Sequence, residues 1–303
     1  MNLIAAQRKI RLGQLAQAAG FDWCGVAESR RLHEEAKRLE QWLSEGRHGE
    51  MAYMERYFEQ RLDPSLLLPG CKSVVVLIHN YFPGPGPAPH PKIARYARGE
   101  DYHQVLKDKM RWMVHRMQEE FGNFQMRIFT DSAPLLERAW ARLAGAGWIG
   151  KNTNLLQKEK GSYFFLSEIL CDLEIAADQP VQDHCGDCTR CLDACPTQAL
   201  EPYRLDASKC ISYLTIELRS RIPEQFSNQM EGWVFGCDIC QEVCPWNRFA
   251  KPHSEPRLLP KDEVWPSARE WLEMSEDIFK ERFGHSPITR TGLAGMQRNI
   301  RFL

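Results

Sequence analysis

Eight of the eleven cysteines of this chain stand between positions 185 and 244, and their spacing specifies what they can hold. Cys185, Cys188, Cys191 and Cys195-Pro196 form C-x2-C-x2-C-x3-C-P. Cys237, Cys240 and Cys244-Pro245 form C-x2-C-x3-C-P, with Cys210 upstream as the missing fourth thiolate. Three closely spaced thiolates can wrap three irons of a cubane, and the Cys-Pro turn then sends the last thiolate of a run to the other cluster. On that logic Cys185, Cys188, Cys191 and Cys244 hold one [4Fe–4S] cluster, and Cys195, Cys210, Cys237 and Cys240 hold the second. Zinc takes four ligands as two pairs and has no use for a third Cys at this spacing followed by Cys-Pro. Disulfides suit a short secreted chain, and the opening MNLIAAQRKIRLGQLAQAAG has neither an apolar run of signal length nor a twin Arg. Cys24, Cys71 and Cys171 lie in apolar surroundings and read as buried thiols. This chain is built to move electrons.

The rest of the chain must position those thiolates and use the electrons. At 303 residues and 43% hydrophobic content it has room for two globular domains. Thirty-nine Lys and Arg against forty Asp and Glu leave a net charge of −1, so there is no global basic footprint for nucleic acid. No span approaches a membrane helix, and the expectation is a cytoplasmic protein without a membrane partner. Apolar spacing predicts a helix through about residue 20, a short strand at 21–27, a polar amphipathic helix at 33–47 and a helix at 51–60. Residues 72–79 read as a buried strand, followed by a Pro/Gly surface loop at 83–91 that could serve as a lid. A long helix at 101–121, a strand at 124–129, a helix at 134–143 and a strand at 161–170 complete an α/β (α+β) domain over residues 1–175. The cysteine-rich, ferredoxin-like unit takes 176–250, and a tail at 251–303, helical from Ser267 to Phe283, packs on the core.

Blocks outside the cysteine motifs carry a resemblance. CGDCTRCLDACPTQAL (185–200), KCISYLTIE (209–217) and FGCDICQEVCPWN (235–247) resemble epoxyqueuosine reductases, as do MAYMERYFEQRLDPSLLLPG (51–70), ARYARGEDYH (94–103) and TDSAPLLERAWARLAGAGWIGKN (130–152). The blocks follow the family's order across residues 20–250. The resemblance implies a core related to reductive dehalogenases, base-off cobalamin as a further cofactor, and reduction of epoxyqueuosine in the tRNA anticodon loop to queuosine. It also implies an external one-electron donor of flavodoxin or ferredoxin type, and a monomer is expected. No D-x-H-x-x-G motif is present to give cobalt a His, which fits a cofactor without a His lower ligand. Many members continue into C-terminal helical repeats; this chain, ending at Leu303, reads as a short form.

The resemblance makes Asp131 the proton donor, while the bare sequence reads it equally as an N-cap between a strand and a Pro-started helix. As cobalamin or substrate contacts it suggests Arg56, Tyr96, Asp101, His103, Asp131, Lys151, Asn152, Leu155, Ser212 and Tyr213. Asp101 reads also as a helix cap, the aromatics as core, and Lys151-Asn152 as a solvated turn. Asp238, Gln241 and Asn247 flank the last thiolates and suit hydrogen bonds that orient them. For tRNA phosphates the sequence offers Arg219, Arg221, Arg290 and Arg298, each of which also reads as a solvated helix face. Two other classes stand beside the reductase. A respiratory dehalogenase usually carries a twin-Arg signal and a Tyr donor, and a plain ferredoxin-type carrier leaves the first 175 residues without a purpose.

Overall fold

In the computed structural model, which describes residues 3–86, 88–260 and 265–303, the chain opens with α1 (Leu3–Ala18), β1 (Trp23–Glu28) and α2 (His33–Ser44). A short α3 (Phe58–Leu62) leads to β2 (Ser73–Asn80) and the two-residue β3 (Lys92–Ile93). Then come α4 (Tyr102–Phe121), β4 (Met126–Phe129), α5 (Glu137–Leu143), β5 (Trp148–Ile149), β6 (Leu155–Leu156) and β7 (Phe164–Cys171). The cysteine-rich stretch is made of short pieces: α6 (Arg190–Asp193), β8 (Leu200–Glu201), β9 (Arg204–Leu205), α7 (Ile211–Ile216), β10 (Trp233–Phe235) and α8 (Ile239–Glu242). The tail carries α9 (Ala268–Glu273), α10 (Glu276–Phe283) and α11 (Gly292–Phe302). Among the described residues no helix is long and apolar enough to cross a membrane.

The four longest strands pair in the order β1–β2–β7–β4, antiparallel at every contact. The alternation of helices and strands in the sequence therefore builds an α+β sheet rather than parallel crossovers. Side chains alternate across the sheet with period two. Val75, Leu77, Phe165 and Ile169 meet Leu12 and Leu15 of α1 and Leu106, Met110 and Met113 of α4 on one face. Val74, Val76, Ile78 and Leu170 meet Trp140, Ala141 and Ala144 of α5 on the other. Both faces are covered, which is why β2 and β7 read as nearly unbroken apolar runs. The exception is Glu168 in the middle of β7, 0% exposed.

The predicted helix at 51–60 breaks into a 3-10 turn at Ala52–Met54 and the short α3, because Tyr57 between them takes φ 59°, a left-handed conformation that ends a helix. The predicted helix at 134–143 starts only at Glu137; Leu135 is buried ahead of it, and residues 130–136 form a loop. The helix expected from Ser267 to Phe283 is interrupted at Met274, and each half has its own Ser cap, Ser267 and Ser275. The sequence reading missed α11, whose two glycines lower its helix propensity. Packing makes up for them. Trp271, Phe279, Phe283, Leu293, Met296 and Ile300 of the tail form a separate core with Ile93, Val234 and Phe235. The helices of the tail thus join β3 and β10, which pair in parallel, while Leu258 ahead of them packs into the core of the main sheet.

Trp271 is 0% exposed at the centre of that tail core. Trp271→Ala is expected to cost about 3–5 kcal/mol, read as a lower denaturant midpoint at unchanged slope. A midpoint equal to that of the unaltered chain would show that the tail core adds nothing to global stability.

Candidate active site

β4 ends at Phe129 and delivers Thr130 and Asp131 to the loop before α5. Thr130 is buried, and its hydroxyl lies 2.8 Å from that of Ser167 on β7, so the root of the loop is fixed to the sheet. Asp131 takes φ 49° and is not a helix cap; Leu136 occupies the N-cap position of α5. The Tyr102 hydroxyl donates to Asp131 Oδ2 at 2.7 Å, and His103 Nε2 stands 3.9 Å from the same oxygen. The Asp131 side chain is still 64% exposed. It faces open space.

The donor side is rigid. Asp101 caps α4 by accepting the His103 N–H at 3.0 Å, and His103 Nδ1 lies 2.6 Å from the same carboxylate. Burial works against the Asp101 carboxylate, but the His103 hydrogen bonds outweigh it and hold its pKa below the ordinary range. Tyr102 stacks on Phe165 at 4.0 Å between centroids. Burial first, and the Asp131 charge second, hold its phenol well above its ordinary pKa, so it remains a donor. Tyr96 packs edge-on against Tyr102 and meets Phe235 at 6.1 Å. Tyr53 lies across the opening, 41% exposed, with the Arg290 guanidinium 5.9 Å from its ring and Glu217 paired to Arg290 at 3.0 Å. Asp131, Tyr53, Tyr96 and Arg290 lie near enough to sense one another's charge.

The eight thiols form two neighbourhoods. Cys191 senses Cys244, Cys185 and Cys188, and Cys244 senses Cys185 and Cys188. Cys237 and Cys240 sense Cys210, which senses Cys195; Cys240 also feels Cys191, so the two groups adjoin. Cys185, Cys188, Cys191 and Cys244 line one cavity of about 170 Å³ with Lys151, Asn152 and Trp246. Among the described residues no three His, Cys, Asp or Glu side chains converge as ligands of a single ion. The sulfurs surround a volume instead. Burial pushes the Cys191 thiol up to about 11, so binding iron there releases protons.

Residues 184–247 match the family described as a 4Fe-4S double cluster binding domain, and residues 61–132 match "Epoxyqueuosine reductase QueG, DUF1730". Over 289 residues the chain is 50% identical to the epoxyqueuosine reductase of Leadbetterella byssophila, covering 95% of each. The chain belongs to the epoxyqueuosine reductase family. The Escherichia coli epoxyqueuosine reductase is 39% identical over 305 residues, covering 95% of this chain and 80% of that one. A solved epoxyqueuosine reductase with a tRNA-Tyr epoxyqueuosine-modified stem loop superposes with TM-score 0.90 at 32% identity, covering 98% of this chain and 80% of that one. The Bacillus subtilis epoxyqueuosine reductase, solved with its catalytic Asp loop swung out of the active site, gives TM-score 0.88 at 33% identity over the same shares.

Tyr96, Asp101, His103 and Asp131 come together around Tyr102, while other candidate residues make different contacts. Lys151 Nζ donates to the carbonyls of Gly186 at 2.6 Å and Cys188 at 3.1 Å. Asn152 is buried and donates to the Cys240 carbonyl at 3.3 Å. Both therefore brace the cysteine loops. Leu155 is buried between β6 and α5 in the sheet core, and Tyr213 is buried with its hydroxyl accepting the Glu50 N–H at 2.7 Å. Gly49 lies so close that a Cβ there would sit 2.4 Å from the Tyr213 oxygen. Ser212 is half-buried in the first turn of α7, directly after Cys210. Arg56 is exposed on the broken segment before α3.

The arginines divide as well. Arg298 is half-buried and donates to the carbonyls of Leu214, Leu218 and Ser220, capping the end of α7 rather than waiting for phosphate. Arg219, Arg221 and Arg290 stay on the surface. Asp238, Gln241 and Asn247 do hold the cysteine turns. Asp238 accepts the Arg95 N–H at 2.8 Å, and Gln241 and Asn247 bond to Ser162. The sequence reading overlooked Tyr53, Glu137, Glu168 and Asn154, and left Tyr102 as one aromatic of a block. Asn154 Nδ2 lies 3.9 Å from Cys240 Sγ. Only Glu168 gave a signal, as a charge inside an apolar strand.

Proposed function

We propose that this chain reduces the epoxide of epoxyqueuosine in the tRNA anticodon loop to queuosine, the last step of queuosine biosynthesis, with Asp131 as the proton donor. The observation that carries the reading is the end-to-end match to epoxyqueuosine reductases, including one solved with an epoxyqueuosine-modified tRNA stem loop. Turning the epoxide into an alkene breaks two C–O bonds, consumes two electrons and two protons, and releases the oxygen as water. Cys185, Cys188, Cys191 and Cys244 hold one [4Fe–4S] cluster in this account, and Cys195, Cys210, Cys237 and Cys240 the other; the two thiol neighbourhoods support that partition. A flavodoxin- or ferredoxin-type donor delivers electrons to the first, where Cys188 is exposed.

An exposed Asp131 carboxyl and the exposed Tyr53 ring beside Arg290 support a cobalamin site on this face, with Arg56 and Tyr57 exposed on the segment that follows Tyr53. Those residues with Tyr96, Asp131 and Ser212 would hold it, and when bound it supplies the low-valent metal nucleophile. The His103 nitrogens are turned to Asp101 and Asp131, in keeping with cobalt that takes no His from this wall. Tyr102 fixes Asp131 Oδ2 and leaves Oδ1 to carry a proton to the epoxide oxygen. His103, linked to Asp101, stands where it can return one.

Anaerobic reconstitution with iron, sulfide and cobalamin, followed by incubation with epoxyqueuosine-containing tRNA and nucleoside analysis, tests the reading. Queuosine is expected only when cobalamin is present; a reduced product that is independent of cobalamin, or no product, rejects it. Asp131→Asn is expected to keep its iron and lose turnover by roughly 100-fold or more, and near-normal turnover would remove Asp131 from the acid role. Cys210→Ser is expected to keep about half of the iron, roughly four atoms of eight; full iron content would overturn the partition. Removing Arg219 and Arg290 together should weaken tRNA binding and flatten its salt slope by about 2, and an unchanged slope would clear them of phosphate contact.

A further inference from the structure

The α5 face of the main sheet carries one carboxyl inside its apolar field. Glu168, 0% exposed, is flanked in register by Val76 of β2 and Phe129 of β4. As a carboxylate it would meet no hydrogen-bond donor at either oxygen. A buried charge without a partner is costly enough that the group stays neutral instead. As an acid it finds an acceptor in the carboxyl of Glu137, the first residue of α5. Burial first, and neighbouring carboxylates second, push both groups above the ordinary range, as befits two carboxyls that share one site. The other charged or titratable groups facing the pair are Asp131, Arg138 on α5 and Tyr102 on α4. The Arg138 guanidinium is engaged with the Thr153 carbonyl at 2.6 Å.

Glu137 also reaches the reactive loop. Its Oε1 accepts the backbone N–H of Asp131 at 2.5 Å. That backbone sits at φ 49°, in the left-handed region that Asp enters more readily than most residues, and the Glu137 contact helps to keep it there. The hydrogen bonds form one directional series from the sheet interior to the site. Glu137 accepts from the Asp131 main chain, the Asp131 carboxylate accepts from Tyr102, and Glu168, buried with no donor at either oxygen, lies behind Glu137 with a proton to give it. The loop is thus held at its backbone from one side and at its side chain from the other.

We propose that Glu137 is a positioning residue that holds Asp131 in its left-handed turn, and that Glu168 is a buried acid whose proton orients Glu137. The role deepens the reading of Asp131 as the proton donor and rests on it. Glu137 touches the loop's main chain and acts only through Asp131. Glu168 needs a donor hydrogen and not a charge, so an amide can substitute for it where a hydrocarbon cannot.

Hydrogen exchange on the cluster-loaded full chain, followed over peptides spanning 129–137, tests this alongside kinetics with epoxyqueuosine tRNA. Glu137→Ala is expected to speed exchange in this segment about tenfold or more. It should also lower kcat roughly 10- to 100-fold with little change in KM. Glu168→Leu should do the same, and Glu168→Gln should restore protection and turnover toward the unaltered chain. Unaltered protection in Glu137→Ala, or Glu168→Gln no better than Glu168→Leu, overturns the proposal. Should Glu137→Ala fail to fold, as judged by lost cluster absorbance, the comparison of the two Glu168 variants decides the matter. Exchange needs no turnover, so a normally active Asp131→Asn would reject the acid role while the exchange result still measured the latch.

Discussion

One aromatic junction ties the molecule together. Tyr102 lies flat on Phe165 of the central strand, with Tyr96 edge-on to both and in contact with Phe235 of β10. Through these rings α4, the main sheet and the cysteine-rich part share one packed interior. Such ring pairs contribute roughly 0.5–1.5 kcal/mol each beyond the area they bury. Their greater importance is directional. The stack fixes where the Tyr102 hydroxyl points, and the hydroxyl fixes Asp131. A sheet that sets one phenol therefore also sets the Asp131 carboxyl.

The same economy governs the thiols. The cysteine-rich stretch has little regular structure, and the N-terminal part grips it at several points. Lys151, Asn152 and Asn154 hold the loops around Cys188 and Cys240, and Arg95 holds Asp238 beside Cys237. Ser162, Gln241 and Asn247 close a third contact. A buried pair such as Arg95–Asp238 is weak evidence of stability, since desolvation offsets attraction. It does specify geometry: a wrong docking of the cysteine turns would leave an unpaired charge.

How much of this was legible beforehand depended on the kind of signal. Cysteine spacing is a local code, and the double-cluster family match over residues 184–247 agrees with it. Nearly continuous apolar runs found β2 and β7, and Asp101 capped α4 at its expected residue. The misses came where tertiary contacts override local preference. Tyr57 in a left-handed turn broke a helix, and packing rescued the glycine-rich α11. Lys151 and Asn152 turn to the cysteine loops and Tyr213 to the Glu50 main chain, because a residue's neighbours in sequence do not reveal which way its side chain faces. Glu137 looked like an ordinary first-turn acid of a helix. Its contact with Asp131 arises from a loop shape that no local pattern encodes.

The account holds that two electrons stored in the paired clusters are enough to deoxygenate one epoxide at the Asp131 face. A single-turnover measurement addresses this directly. The cobalamin-loaded protein is reduced anaerobically, freed of excess reductant, and mixed with epoxyqueuosine-containing tRNA while cluster absorbance and queuosine are followed together. The account predicts that both clusters reoxidise as queuosine forms, one product for each pair of electrons. Reoxidation without queuosine, or queuosine formed while the clusters stay reduced, would contradict it.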